Sequence, residues 1–235
     1  MTDNFQTIFI SGANRGIGYE LARQLSQQSY QIIAGYRDDS RSKMFLNEAQ
    51  KTNNVFPAKV DVTSEHDLKE LYDFIANQFG SLDVLVNNAG INLNRSLRMN
   101  ELEWSDLEHH FKVNVGGPFL ATRYLYRLLK AGKRKIIINI SSNLGSTELN
   151  GGGSIPYSLS KAGLNMLSKH QALEYETEGM TVISLSPGWV RTDMGGSAAP
   201  LSVAESATRI IRIMDTFPVS RSGQFIDLNG ELLPY

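Results

Sequence analysis

The stretch SGANRGIG, residues 11–18, stands directly behind the apolar run TIFI at 7–10. Its three glycines, Gly12, Gly16 and Gly18, fall where a first strand would hand over to a first helix. Glycine inside an element costs roughly 0.5–1 kcal/mol relative to alanine, so three within seven residues need a reason. One reason is a tight turn. Another is a backbone bare enough for a phosphate to approach, with the N–H groups and positive dipole end of the helix start facing it. A strand before the glycines and a helix after them is the context that makes such a pattern a phosphate-site candidate. The spacing here is G-x-x-x-G-x-G rather than the G-x-G-x-x-G of the dinucleotide fingerprint, and by itself it leaves the plain turn open.

Outward from this stretch, β-rich apolar runs alternate with helical patterns to the end of the chain. Strands are predicted at TIFI (7–10), YQIIAGY (30–36), VFPAKVDV (55–62), LDVLVNNAG (82–90), KIIINIS (135–141), MTVISLSPG (180–188) and GQFIDL (223–228). Several are almost continuously hydrophobic, as parallel strands covered on both faces are. Between them lie helical stretches at 19–28, 64–79, 104–132, 161–179 and 202–217, with SRSKMFLNEAQ (40–50) a further short segment. Asp61 to Glu65 ends one strand and supplies cap residues for the next helix. The alternation predicts an α/β domain: a doubly wound, seven-stranded parallel sheet with right-handed crossovers and helices on both faces. No linker or repeat divides the chain, so residues 1–235 read as one domain. Ligands of such sheets bind beyond the carboxyl ends of the strands. SGANRGIG, NNAG (87–90), SSN (141–143) and SPGW (186–189) all fall there, a clustering that a purely structural turn would not predict.

Composition narrows the function classes. The chain has 235 residues, 41% hydrophobic and 20% charged, with a formal net charge of -1. Nothing advertises nucleic acid or an anionic membrane. The one basic run, Lys133-Arg134-Lys135, follows LLKAG, where cations suit a helix C-terminus. The absence of cysteine removes disulfides, thiolate metal sites and cysteine nucleophiles together. A strand within the first ten residues leaves no room for a signal peptide, and no apolar run approaches the roughly 18 residues that span a bilayer. A soluble, cytoplasmic protein is expected. His66, His109, His110 and His170 form no metal pattern, since adjacent histidines on a helix point about 100° apart.

Tyr157 and Lys161, four apart in PYSLSK at the start of a predicted helix, share a face. A free tyrosine titrates near ~10 and is a poor proton donor or base at neutral pH. Lowering that by ~3 units takes ~4 kcal/mol, about what one ammonium at ~4 Å supplies at an effective dielectric of ~20. Lys161 is therefore expected to tune Tyr157 as a general acid/base. A lone Y-x-x-x-K would read as a surface helix. Its weight here comes from the company it keeps.

That company is SGANRGIG, NNAG, Asn114 within KVNVGG, the serine pair of INISS, YSLSK and SPGWVRTDM. In this order it resembles the short-chain dehydrogenase/reductase superfamily, from about residue 6 to the last strand. GYRDDSR, PGWVRTDMGG and the tail SGQFIDLNGELLPY are similar to the carbonyl-reductase branch that includes C-factor and sniffer-like proteins. The resemblance implies a Rossmann fold and a catalytic tetrad of Asn114, Ser142, Tyr157 and Lys161. Tyr157 would exchange the proton with the substrate oxygen and Ser142, preferred over Ser141 by family spacing, would steady that oxygen. Lys161 would tune Tyr157 and hold the nicotinamide ribose, and Asn114 would order a water linking Lys161 to solvent. Cofactor contacts are implied at Gly12, Asn14, Arg15, Gly16, Ile17, Gly18, Asp61, Val62, Asn88, Ala89 and Gly90, at Tyr157 and Lys161 themselves, and at Pro187, Gly188, Val190 and Thr192.

Counting about 20 residues from Gly18 lands on Asp38, which taken alone favours NAD(H). The second strand, however, ends at Tyr36, where NAD-binding members of the family put their acid, and Arg37 follows. With Arg15 in the glycine loop, two guanidiniums converging on one phosphate favour NADP(H). Asp38 and Asp39 then read as helix caps. A solvated Arg37 is the alternative.

The implied function is hydride transfer between a nicotinamide and a carbonyl/alcohol pair, in the direction of carbonyl reduction, on a small molecule. A 3-ketoacyl thioester reductase is the rival within the class, and a dinucleotide-binding signalling protein on the same scaffold the rival outside it. A homodimer or homotetramer is expected, as in family members, with Leu125, Leu128 and Leu164 facing outward; the alternative is that these leucines pack on the sheet. The substrate pocket is expected from residues 143–156, Trp189 and 193–201, partly apolar and without an evident charged anchor.

Overall fold

Strand-forming runs rich in isoleucine and valine alternate with amphipathic helices, and each crossover lays its helix on one face of a single sheet. A computed structural model describes residues 5–235. Its elements run β1 (Gln6–Ile10), α1 (Gly16–Leu25), β2 (Tyr30–Tyr36), α2 (Lys43–Ala49), β3 (Val55–Lys59), α3 (Glu65–Gln78), β4 (Val84–Asn87), α4 (Trp104–Phe111), α5 (Gly117–Ala131), β5 (Ile136–Ile140), α6 (Ile155–Glu174), β6 (Thr181–Leu185), α7 (Val203–Thr216) and β7 (Phe225–Ile226). All seven strands are parallel, in the order β3-β2-β1-β4-β5-β6-β7. This is the predicted doubly wound sheet. Its order reverses between β1 and β4, and ligand crevices open at such a point.

Successive residues of β1 show how both faces are buried. Ile8 and Ile10 join the layer under α1 and α7, with Leu21, Leu25, Ile210 and Met214. Phe9, between them, joins the opposite layer with Leu68 and Ile75 of α3 and Leu125 and Leu129 of α5. The core therefore lies in two slabs, one per sheet face, which is why these strands read as continuous apolar runs rather than alternating ones.

Two expectations are corrected. The stretch 104–132 is not one regular helix: Lys112–Gly116 makes a π-helical turn between α4 and α5. Pro118 has no N–H to give the carbonyl four residues back, and the ladder slips, so that the Gly117 N–H donates to Lys112 O. Leu125, Leu128 and Leu164 do not face outward. All three are buried in the core. The large exposed apolar side chains on α5 and α6 are instead Phe119, Leu159, Met166 and Leu173, with Trp104 and Phe111 exposed on α4.

The basic run is structural. Arg134 Nη1 donates to the Tyr30 hydroxyl at 2.8 Å, to Gln6 Oε1 at 3.0 Å and to Asp215 at 2.9 Å. Buried Asp83 accepts from the backbone N–H groups of Lys133 (2.7 Å), Arg134 (3.3 Å) and Thr7 (2.9 Å). His110 is buried, its ring accepting from Leu93 N and meeting Asp106 O. Among the described residues no His, Asp and Glu side chains group as metal ligands, and no helix is long and apolar enough to cross a membrane.

Candidate active site

The glycine loop leaves β1 and is locked to the loop after β4. Asn88 Nδ2 donates to Ser11 O at 2.9 Å and Gly12 O at 3.1 Å, while Ser11 Oγ accepts from the N–H groups of Asn88 and Ala89, each at 3.0 Å. Gly12 has φ +64°, open at no cost only to glycine. A β-carbon on Gly18 would sit 2.5 Å from both Asn88 Nδ2 and Gly12 O, so Gly18 admits no side chain at all. The glycines make a tight turn, and Gly12 and Gly16 of that turn line a cleft.

That cleft, of about 440 Å³, runs over the carboxyl ends of the strands. Of the predicted cofactor residues, Gly12, Asn14, Arg15, Gly16, Ile17, Arg37, Asp61, Val62, Asn88, Ala89, Gly90, Tyr157, Lys161, Pro187 and Thr192 line it. Three do not. Gly18 is buried under Asn88, Val190 is buried in a bridge to Leu201, and Gly188 lies against the Leu201 side chain. Tyr36, Arg41, Ile91 and Ile140 also line the cleft and were not foreseen, while Asp193 and Met194 come from the 193–201 segment expected to form the substrate pocket. Arg41 had a signal: it follows Arg37 by four residues in the polar turn between β2 and α2.

Four arginines line the cleft with Tyr36 and Asp61; Arg191 donates to Ala199 O and Pro200 O, and the other three each have a carboxylate near them. Arg15 Nη1 is 2.7 Å from Asp193, Arg37 is 3.8 Å from Asp61, and Arg41 is 3.6 Å from Asp38. All are solvent-exposed pairs, worth little individually and readily exchanged for a stronger anion. Asp38 caps the turn at Asp39–Arg41, accepting from Ser40 N at 2.9 Å and Ser40 Oγ at 2.6 Å, as expected. Asp39 instead pairs with Lys59.

The tetrad candidates come from four segments. Ser142 follows β5, and its side chain is hydrogen-bonded to the Tyr157 hydroxyl. Ser141 is turned away, buried, with its Oγ donating to Asn165 Oδ1 at 2.6 Å. Asn114 sits in the π turn, fully buried: Nδ2 donates to Ile91 O (3.0 Å) and Ser160 Oγ (2.9 Å), and Oδ1 accepts from Ile91 N (2.9 Å). Such turns displace a side chain from the helical ladder, and this one aims Asn114 at the segment after β4. Tyr157 and Lys161 occupy the first two turns of α6, both buried, and both reach the cleft. Lys161 Nζ donates to Ile140 O at 2.6 Å and stands 5.5 Å from the Tyr157 ring centre.

The expected lowering of Tyr157 is not what this geometry produces. Burial pushes the Tyr157 phenol up to about 12, outweighing the Ser142 hydrogen bond and the Arg95 charge, which lower it. Burial also pushes Lys161 down to about 7. A low-dielectric site penalises both charged forms, and the amine that was to act as an ammonium is itself half-neutral at pH 7. Tyr157 is therefore a protonated donor, poised to give a proton rather than take one.

The arrangement fits a dinucleotide: bare backbone at a helix start, exchangeable guanidiniums on the same cleft, and a proton donor beside an amine on the helix that closes it. The chain matches the short chain dehydrogenase family over residues 6–200. It is 31% identical over 226 residues to the 3-oxoacyl-[acyl-carrier-protein] reductase of Staphylococcus aureus, covering 95% of this chain and 87% of that protein. Among solved structures, the carbonyl reductase Sniffer of D. melanogaster superposes with a TM-score of 0.93 at 30% identity, over 99% of this chain and 100% of the other. The NADPH-bound carbonyl reductase from chicken fatty liver superposes with a TM-score of 0.91 at 27% identity, over 98% and 99%. The chain belongs to the short-chain dehydrogenase family.

Proposed function

We propose that this protein is an NADP(H)-dependent carbonyl reductase acting on a small aldehyde or ketone. The observation that carries the reading is the pair at the cleft wall: Tyr157, held protonated by burial, with its hydroxyl bonded to Ser142. When bound, the reduced nicotinamide would supply the hydride. Ser142 and Tyr157 would hydrogen-bond the substrate oxygen, and Tyr157 would pass its proton to that oxygen as negative charge develops there. Lys161, anchored on Ile140 O, would hold the nicotinamide ribose hydroxyls and re-protonate Tyr157, with Asn114 ordering water behind it. Gly12, Asn14, Gly16, Ile17 and the 88–90 turn would hold the pyrophosphate and adenosine side, and Thr192 and Pro187 the nicotinamide side.

Arg15, Arg37 and Arg41 support NADP(H) over NAD(H), because a 2′-phosphate would replace weak exposed carboxylate partners with charge-assisted bonds. The NADPH in the chicken relative points the same way. The exposed Phe111, Phe119, Leu159 and Met166 support a homodimer or homotetramer. A second reading, reduction of 3-oxoacyl thioesters, is favoured by the staphylococcal relative.

The test is a fluorescence titration with NADPH and NADH on the wild type, Arg37→Asp and Tyr157→Phe, followed by turnover of aldehydes, ketones and a 3-oxoacyl thioester. NADPH should bind tighter, and Arg37→Asp should erase the difference by costing about 10–100-fold, the span of ~1.5–3 kcal/mol for bonds to a charged group. Tyr157→Phe should bind NADPH and reduce nothing. Tighter NADH binding would overturn the cofactor reading, and thioester turnover exceeding that of free carbonyls would favour the second one.

A further inference from the structure

Arg95 lies in the segment between β4 and α4, and no role in the chemistry above uses it. Its position is unusual. The Arg95 carbonyl accepts from Ser154 N at 3.1 Å, and Ser154 is the residue before α6, three ahead of Tyr157. At its other end the Arg95 guanidinium donates through Nη1 to Met194 O, and Met194 lines the cleft that Tyr157 also lines. The side chain therefore crosses from the start of the catalytic helix to the 193–196 segment.

Two further observations separate Arg95 from the arginines near the glycine loop. Arg15, Arg37 and Arg41 each have a carboxylate within 4 Å, whereas among the described residues no carboxylate lies that close to Arg95. A guanidinium carries five N–H donors in a rigid fork, and only one is engaged here, by a neutral carbonyl. The bond to Met194 O holds one edge of the fork at the 193–196 segment while the residue remains exposed. Its charge also reaches the catalytic phenol: Arg95 is the one charged side chain whose field registers at Tyr157. Trp189, which donates to Gly195 O at 2.8 Å, and Met194 add apolar wall to the same segment, whose carboxylate, Asp193, is held 2.7 Å from Arg15.

We propose that Arg95 makes this protein select carbonyl substrates that carry a carboxylate, held by the free edge of the guanidinium while the carbonyl oxygen meets Tyr157 and Ser142. A planar fork is matched to a carboxylate, which accepts two parallel N–H bonds from it. The class is an oxo acid, aliphatic or aromatic, whose carboxylate lies a few bonds from the reacting carbon. The inference rests on the carbonyl-reductase reading and adds a charged anchor to a pocket that the sequence suggested has none.

The test measures kcat/KM with NADPH for 4-carboxybenzaldehyde and for methyl 4-formylbenzoate, its neutral ester, in the wild type, Arg95→Gln and Arg95→Lys. The readout is the acid-to-ester ratio within each protein, so any general loss from cutting the link to Met194 cancels. The wild-type ratio should exceed the Arg95→Gln ratio about tenfold, equivalent to about 1.4 kcal/mol. The change should lie mainly in KM of the acid, as for an interaction made equally in the ground and transition states. Arg95→Lys should retain part of the preference, and added salt should shrink it in the wild type and Arg95→Lys while leaving the Arg95→Gln ratio unchanged. Equal ratios in wild type and Arg95→Gln would overturn the inference and leave the reductase reading standing. If NADPH binds and neither aldehyde is reduced, the reductase reading falls and the inference falls with it.

Discussion

Replacing Lys161 by methionine should stabilise the folded protein while removing its activity, and the gain should depend on pH in a way that only a buried amine explains. Burial lowers Lys161 from 10.5 to about 7. Between those values the unfolded chain holds a proton that the folded chain has lost, so stability rises with pH across the window. The penalty is fully present below about pH 7 and is relieved as pH climbs toward 10.5. At about 1.4 kcal/mol per unit, the burden is roughly 5 kcal/mol at pH 6 and roughly 2 kcal/mol at pH 9. Methionine keeps a similar length and carries no charge, but it abandons the bond from Nζ to Ile140 O, at about 1–3 kcal/mol for an unsatisfied buried carbonyl. That second cost does not vary with pH. Tyr157, pushed up to about 12, stays protonated throughout and adds no slope. The difference in unfolding free energy between Lys161→Met and wild type should therefore be roughly 3 kcal/mol larger at pH 6 than at pH 9. Urea unfolding followed by circular dichroism at the two pH values measures it. A difference that is the same at both, within about 0.5 kcal/mol, would show that burial does not neutralise Lys161.

Asp83→Ala should cost about 3 kcal/mol in urea unfolding, because it strands the N–H groups of Thr7, Lys133 and Arg134 beneath β1 and β5; a loss under about 0.5 kcal/mol would mean that water replaces the carboxylate at no cost. Gly18→Ala pushes a methyl group against Gly12 O and Asn88 Nδ2. It should weaken NADPH binding at least about tenfold, the effect of ~1.4 kcal/mol of loop displacement, with a folded circular-dichroism spectrum retained; wild-type NADPH affinity would show that the loop is not the cradle.

The sheet was legible because both of its faces are covered. Runs such as YQIIAGY and KIIINIS had no other explanation than buried parallel strands, and β2 begins and ends where the sequence suggests, at Tyr30 and Tyr36. The glycine loop, Tyr157 and Lys161 were legible through their spacing. What escaped depends on contacts far apart in sequence. The facing of Leu125 and Leu128 is set downstream of the π turn at Lys112–Gly116, which a regular 3.6-residue periodicity cannot register. Arg95 meets Met194 across 99 residues, and no local pattern marks that pair. The direction of the Tyr157 shift was misjudged for a related reason: the distance to Lys161 can be guessed from four-residue spacing, but burial of both groups cannot.

The helix that bears Tyr157 and Lys161 is packed in a manner that bears on its precision. An apolar helix face against an apolar sheet tolerates small rotations, since dispersion contacts carry little direction. The inward face of α6 carries, beside Leu164 and Ala172, a buried polar array. Asn165 accepts at Oδ1 from Ser141 Oγ (2.6 Å) and Ser184 Oγ (2.5 Å) and donates from Nδ2 to Gly145 O (3.3 Å). One turn on, Asn139 Nδ2 donates to Ser168 Oγ (2.9 Å) and Gln171 Oε1 (3.0 Å), and its Oδ1 accepts from Asn87 (2.8 Å). These partners lie on β4, β5 and β6 and on the loop after Ser142. Rotating α6 by a few tens of degrees would break several buried bonds together, each with a desolvation cost of about 1–3 kcal/mol. Sliding it along its axis would do the same. Lys161 belongs to this array through Ile140 O, and Ser141 ties it to the neighbour of Ser142. The polar array thus fixes the rotational setting of the helix relative to the strand end that carries Ser142, and the Ser142–Tyr157 hydrogen bond follows from that setting rather than from the two side chains alone.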